Sequence, residues 1–325
     1  MFASIAKYKS MVFQVTVKSL LLLCFINATV QNGLAQRFNS ATPFPFYYYD
    51  YKLANPGLVG IENNHTIDLM YTGVPVKPSS SYGRTAQTLY GTYETNVSKL
   101  RGGIGGILNW QRQGPQNYLS ANLLYSYELK LGAESEVRIG TQLRYQRLTI
   151  NYDEFRISPD DPLIPETSKD SESNFDVDLG VVYHAPKLTA GVTLKNILQP
   201  AFDVGLTSKI KDKSEINILV ARKFEINHWL DITPSVIIVS DFDRSFVDIN
   251  SIFQIKKWVL VGVGYAFPEN GRDDFSFNIG LNIGDTVQFI THLYSQSYAD
   301  YSATYGTRFG AMLRVQIAKD YTTTQ

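Results

Sequence analysis

The sequence predicts an all-β fold: an antiparallel up-and-down transmembrane β-barrel of about fourteen strands, with an extended N-terminal segment that plugs the lumen. Three observations predict it. The first residues have the layout of an export leader. From about residue 64 to 318 apolar and polar residues alternate with period two over segments longer than ordinary globular strands. Very short connections between those segments take turns with longer polar ones, so that consecutive strands are antiparallel neighbours.

The leader comes first in the chain. Lys7, Lys9 and Lys18 precede the apolar run Leu20 to Ile26, and Gly33-Leu34-Ala35 stands before Gln36. This order predicts cleavage between Ala35 and Gln36. The run is shorter than the roughly 20 apolar residues a spanning helix needs. Cys24 as a lipoprotein cysteine is the other reading, but Leu23 stands where such sites want a small residue. Without the leader no cysteine remains, so disulfides and thiolate metal sites are excluded. The 30 basic and 30 acidic residues of the full chain become 27 and 30, a balance of −3 with no long run of one sign. That excludes a nucleic-acid surface built on a basic field. Tyrosine (21) and phenylalanine (18) are abundant, and no later segment is apolar enough for a helical span, which fits a barrel with aromatic girdles.

Residues 36–63 are the second element. Pro43-Phe44-Pro45-Phe46-Tyr47-Tyr48-Tyr49 and Asn55-Pro56-Gly57 break strand pairing, because proline has no amide hydrogen and restricts its predecessor. The three adjacent tyrosines argue for burial within or across the barrel mouth; a disordered tail is the alternative.

The barrel, residues 64–325, follows. Alternating segments fall near 64–71, 84–97, 102–112, 116–131, 134–151, 173–185, 187–197, 213–224, 229–241, 245–256, 257–267, 273–283, 286–296 and 304–318. In 137–147, Val137, Ile139, Leu143 and Tyr145 oppose Arg138, Gln142, Arg144 and Gln146; in 275–283, Phe275, Phe277, Ile279 and Leu281 oppose Ser276, Asn278 and Asn282. Tight turns are expected near 100, 132–134, 185–187, 256–257 and 284–285, and longer loops at 73–83, 152–172, 198–211 and 268–273. A soluble sandwich is the alternative; strand length and an even count favour a closed barrel.

The candidate chemistry is sparse. His65, His184, His228 and His292 lack the spacing of a zinc site, and His292 with Ser295 has no hydrolase motif around it. Asp160 and Asp161 with Asp153, Glu154, Glu166, Asp170 and Glu172 make an acidic loop without a calcium motif. Gly102-Gly103-Ile104-Gly105-Gly106 opens a strand and is no phosphate loop; it permits bending or close approach of the N-terminal segment. No catalytic, cofactor or metal group is expected. Arg138, Arg144, Arg147, Arg308 and Arg314 are placed on the inward face, where charge requires water or carboxylate partners. Asn55, Pro56, Gly57, Arg138, Arg144 and Arg314 are therefore the expected plug and lumen residues.

In order along the chain, Asn55-Pro56-Gly57-Leu58-Val59-Gly60, Arg101 to Gly106, Tyr125-Ser126-Tyr127, Ile139-Gly140, Asp178 to Tyr183, Asn196 with Pro200, Thr233-Pro234-Ser235 and Trp258 to Gly262 resemble the PorP/SprF family of type IX secretion outer-membrane proteins. The chain resembles a divergent member: Tyr71-Thr72-Gly73-Val74 stands where the family has Arg-x-Gln-Trp, and His292-Leu293-Tyr294-Ser295 where it has Tyr-Ser-Tyr-Asp. The resemblance implies a non-enzymatic accessory in the bacterial outer membrane, needed for secretion or surface attachment of partner proteins of the gliding-adhesin type. Its implied partners are outer-membrane lipid, other type IX components and exported proteins with type IX C-terminal signal domains. A channel for a small or hydrophobic solute is the alternative function.

Overall fold

The computed structural model describes residues 46–62, 64–73, 87–154, 169–204, 209–243, 245–268, 274–296 and 308–318. The expected leader with Ala35 and Gln36, and Asp160 and Asp161 of the acidic loop, lie outside them. The strands are β1 (Asn64–Gly73), β2 (Gln87–Val97), β3 (Gly102–Gln113), β4 (Gln116–Lys130), β5 (Glu136–Asn151), β6 (Lys169–Ala185), β7 (Leu188–Lys195), β8 (Ala201–Phe202) and β9 (Ile210–Lys211). They continue as β10 (Glu215–Arg222), β11 (Phe224–Asn227), β12 (Leu230–Ser240), β13 (Ser245–Ile255), β14 (Val259–Pro268), β15 (Asp274–Ile283), β16 (Val287–Gln296) and β17 (Arg308–Ala318).

Each main strand pairs antiparallel with its sequence neighbours, β1 with β17, and β10 with both β7 and β12, so the sheet closes on itself. β10 and β11 are two pieces of one stave, since both pair with β12. The result is a fourteen-strand barrel, the architecture the alternation predicts. β8 and β9 form a separate small ladder in the long β7–β10 connection.

Alternation becomes an outside and an inside. Leu69, Leu123, Ile139, Val181, Phe277 and Leu313 are exposed, whereas Asp68, Ser126, Arg138, Asn278 and His292 are buried. An apolar exterior removes the need for water around the wall, and closure leaves no unpaired sheet edge along most of its height. Trp229 and Trp258 at the turn end, and Phe267, Phe275 and Phe309 toward the loop end, supply exposed rings at both rims.

Two details differ from the sequence reading. Arg147 is exposed and donates to Ser171 Oγ at 2.8 Å, because β5 and β6 pair without a bulge and an odd-numbered residue of β5 faces outward. The segment 46–62 is folded and not extended: 3-10 turns at Tyr51–Leu53 and Pro56–Leu58 shorten it. The physical reason lies in Asn55-Pro56-Gly57. Proline sets the helical φ, and the Asn55 side chain accepts the Gly57 amide at 2.8 Å as an N-cap.

Candidate functional site in the barrel interior

Residues 46–62 pack along the inward faces of the staves. At the turn end Gly60 touches β2 and β3: its amide donates to Glu94 at 2.6 Å, and Asn96 Nδ2 donates to its carbonyl at 3.1 Å. At the loop end the Phe46 ring sits over Gly310 of β17, itself opposite Thr72 of β1. The segment thus runs most of the height of the wall.

Against β3 to β7 the contact is backbone on backbone. A Cβ on Gly140 would lie 2.1 Å from the Gly57 nitrogen, and one on Gly103 would lie 2.0 Å from the Val59 oxygen. Only glycine admits so close an approach. Polar side chains then tie the segment's backbone: Ser126 Oγ at 2.8 Å and Arg138 Nη2 at 3.0 Å both donate to Val59 O. Asn55 Nδ2 donates to Val192 O at 3.0 Å, and Thr193 Oγ1 to Ala54 O at 3.1 Å.

In the middle stands a buried ion cluster. Lys52, 2% exposed, bonds Asp50 at 2.7 Å, Asp68 at 3.0 Å and Glu94 at 3.1 Å. Arg314 Nε completes it on Asp68 at 2.7 Å. Two cations face three carboxylates, so one acid is poorly compensated. Asp50 takes that part: burial pushes its carboxyl up to about 7 despite Lys52.

Against β1 and β12 to β17 the contact is made by rings. Tyr48 Oη donates to Asn278 Oδ1 at 3.0 Å and lies 3.1 Å from His292 Nδ1; Phe46 tilts against the His292 ring at 5.4 Å between centroids. Phe46 also packs with Met70, Leu260, Ile290 and Met312.

Asn55, Pro56, Gly57, Arg138 and Arg314 therefore stand in or against the segment. Arg144 does not: it pairs with Asp178 and donates to Asn196 Oδ1 at 2.9 Å, holding the turn after β7 to β6. The reading by residues passed over Lys52, Asp68 and Glu94. Their signal was a lone lysine in an aromatic stretch and two acids at inward positions of the first two strands. His292 is buried under Phe46 and Tyr48, which makes it a packing partner of the segment. Among the described residues no group of His, Cys, Asp and Glu is arranged to hold a metal.

A closed sheet with an apolar exterior and a polar, charged interior is an outer-membrane β-barrel. Solved barrels share the fold. The toluene transporter TbuX of Ralstonia pickettii is 11% identical, with TM-score 0.52, covering 86% of this chain and 95% of that one. A TodX mutant described as a monoaromatic hydrocarbon channel is 9% identical, with TM-score 0.54, covering 82% and 94%. At such identities the likeness is one of architecture. The model of the type IX secretion system membrane proteins PorP/SprF matches residues 38–314, and the chain belongs to that family. It is a protein of the bacterial outer membrane. Family and fold are non-enzymatic in kind. No curated protein matches the chain in sequence.

Proposed function

We propose that this barrel is an accessory of type IX secretion that receives particular exported proteins and brings about their secretion or attachment at the cell surface, with its own lumen kept shut by residues 46–62. Family membership supports the secretion part. One observation supports the closed lumen: the segment contacts the inner wall from Gly60 beside β2 and β3 up to Phe46 beside Gly310, with buried hydrogen bonds or ion pairs between these ends. A channel for small solutes would need that segment to leave, against a buried ion cluster and a glycine floor.

The test is deletion of the gene in its native host, with the surface and secreted proteins quantified. The expected result is loss of a defined set of exported proteins from the surface. An unchanged surface proteome, together with a defect in uptake of a small solute, would support the channel reading instead.

A further inference from the structure

β6 is longer than its neighbour on one side. Its pairing with β5 spans Lys169 to His184, but its pairing with β7 begins only at Leu179. Above that level the chain leaves the wall: Ile197 N donates to Val177 O, then Asn196 and Gln199, both with positive φ, turn it aside. The Ile197 bond fixes the geometry of the edge. In an antiparallel ladder alternate residues present both N–H and C=O to the same side, so Ser171, Ser173 and Phe175 face the side that β7 has left.

Those groups have no backbone partner among the described residues on that side. Stand-ins cover the two ends: the Ser171 amide bonds Asp170 Oδ1 at 2.7 Å, and the Val177 amide bonds Asp176 Oδ1 at 2.7 Å. Asp176 is fully buried, and its other oxygen has no hydrogen-bond partner. From Ser173 upward the edge lies beyond the apolar belt at the loop end. Outward residues of β6 read Tyr183, Val181, Leu179, Val177 and Phe175, all apolar and all exposed but the half-buried Val177, and then Ser173, Ser171 and Lys169. Phe175 and Tyr145, 5.4 Å apart between centroids, form a ring platform just below.

Unpaired strand backbone selects one kind of ligand, an extended polypeptide. We propose that the edge from Ser171 to Phe175 receives, by strand addition, an extended segment of the exported protein that carries lysine or arginine at alternate positions. This rests on the reading that the barrel handles exported proteins. The charge preference follows from Asp170, Glu172 and Asp176 on the inner side of the same edge, where the connection after β7 engages one oxygen each of Asp176 and Glu172 through the Leu198 and Asp203 amides and leaves the second Asp176 oxygen without a hydrogen-bond partner. Charge also argues against a second copy: antiparallel self-pairing about Ser173 sets Asp170 opposite Asp176, a like-charge cross-strand pair.

The test uses the full chain in its native host. Ser173→Pro removes an uncovered amide that points away from β5, and Ser171→Pro removes one that must leave the Asp170 carboxylate before it can pair outward; an edge strand tolerates both losses. Delivery of the proteins lost on gene deletion is expected to fall by about tenfold, the factor that losing one interchain amide bond produces. The amount of folded barrel is expected to stay at the wild-type level, and Ser173→Ala to deliver like wild type. Proline variants that assemble and deliver normally overturn the proposal while leaving the functional reading in place. A deletion strain with an intact surface proteome removes both. If the proline variants assemble poorly, Ser173→Cys labelled after assembly with a bulky maleimide replaces them: halted delivery supports the edge, and undisturbed delivery overturns it. A wild-type dimer that dissolves in Ser173→Pro assigns the edge to a second copy and also overturns the proposal.

Discussion

Against β3 to β7 the N-terminal segment lies with its backbone on glycines, whereas against β1 and β12 to β17 it is held by the rings of Phe46 and Tyr48. The two contacts differ in what they tolerate. A ring in a pocket shifts or trades for a similar ring at small cost, but a backbone seated within 2.1 Å of where a Cβ would be has nowhere to move. The glycine wall therefore sets the position of the segment and the ring wall adds adhesion. The ion cluster around Lys52 stands on the ring side, with Asp68 from β1 and Arg314 from β17, and reaches toward the glycine side through Glu94 of β2, which also accepts the amide of Gly60 beside Gly103 of β3.

Substitutions that break this contrast rank in order. Gly140→Leu is expected to have the largest effect and to abolish docking of the segment, because backbone cannot yield to the new side chain. Protease cleavage within residues 46–62 of the folded barrel is the readout. Lys52→Met leaves Asp68 and Glu94 buried with Arg314 alone, and a loss of about 3 to 5 kcal/mol follows from an uncompensated buried charge. Its measure is the same cleavage rate, against Lys52→Arg as the charge-keeping control. Asn55→Ala removes a cap and a wall bond together and is expected to cost about 1 to 2 kcal/mol. Tyr48→Phe keeps the ring and loses one hydroxyl, for about 1 kcal/mol. If Tyr48→Phe freed the segment more than Gly140→Leu, the assignment of roles to the two walls would be reversed.

Asp50→Asn is expected to do least at neutral pH and to change the pH profile instead. The docked carboxyl is raised to about 7, above its ordinary value of about 3.9, so the docked state holds the extra proton between those limits. Docking should strengthen as pH falls from about 7 toward about 4, and stay flat above about 7. Cleavage rates measured across that range should lose their slope in Asp50→Asn.

The wall was legible in the sequence because each stave carries its own record. Ile139 and Arg138, or Phe277 and Asn278, state by alternation which side is lipid and which is lumen. Where alternation fails, something covers the inner face. Leu148 and Ile150 are apolar and inward because Phe202 of β8 and Val204 just after it pack on them, and no local pattern of 201–211 announced that. Asn55-Pro56-Gly57 was readable as a break in strand pairing but not as a fold, since its turns depend on a floor of glycines far along the chain. The Lys52 cluster joins residues from four separate stretches, so no spacing rule reaches it.

Residues 46–62 are proposed to shut the lumen by seating on the glycine wall. Conductance of the purified protein in planar bilayers tests it most directly, with wild type compared with Gly140→Leu. Rare, brief openings are expected for wild type and stable open steps for the variant at equal amounts of folded barrel. Stable open steps from wild type, or an equally silent Gly140→Leu whose segment is cut by protease, would contradict it.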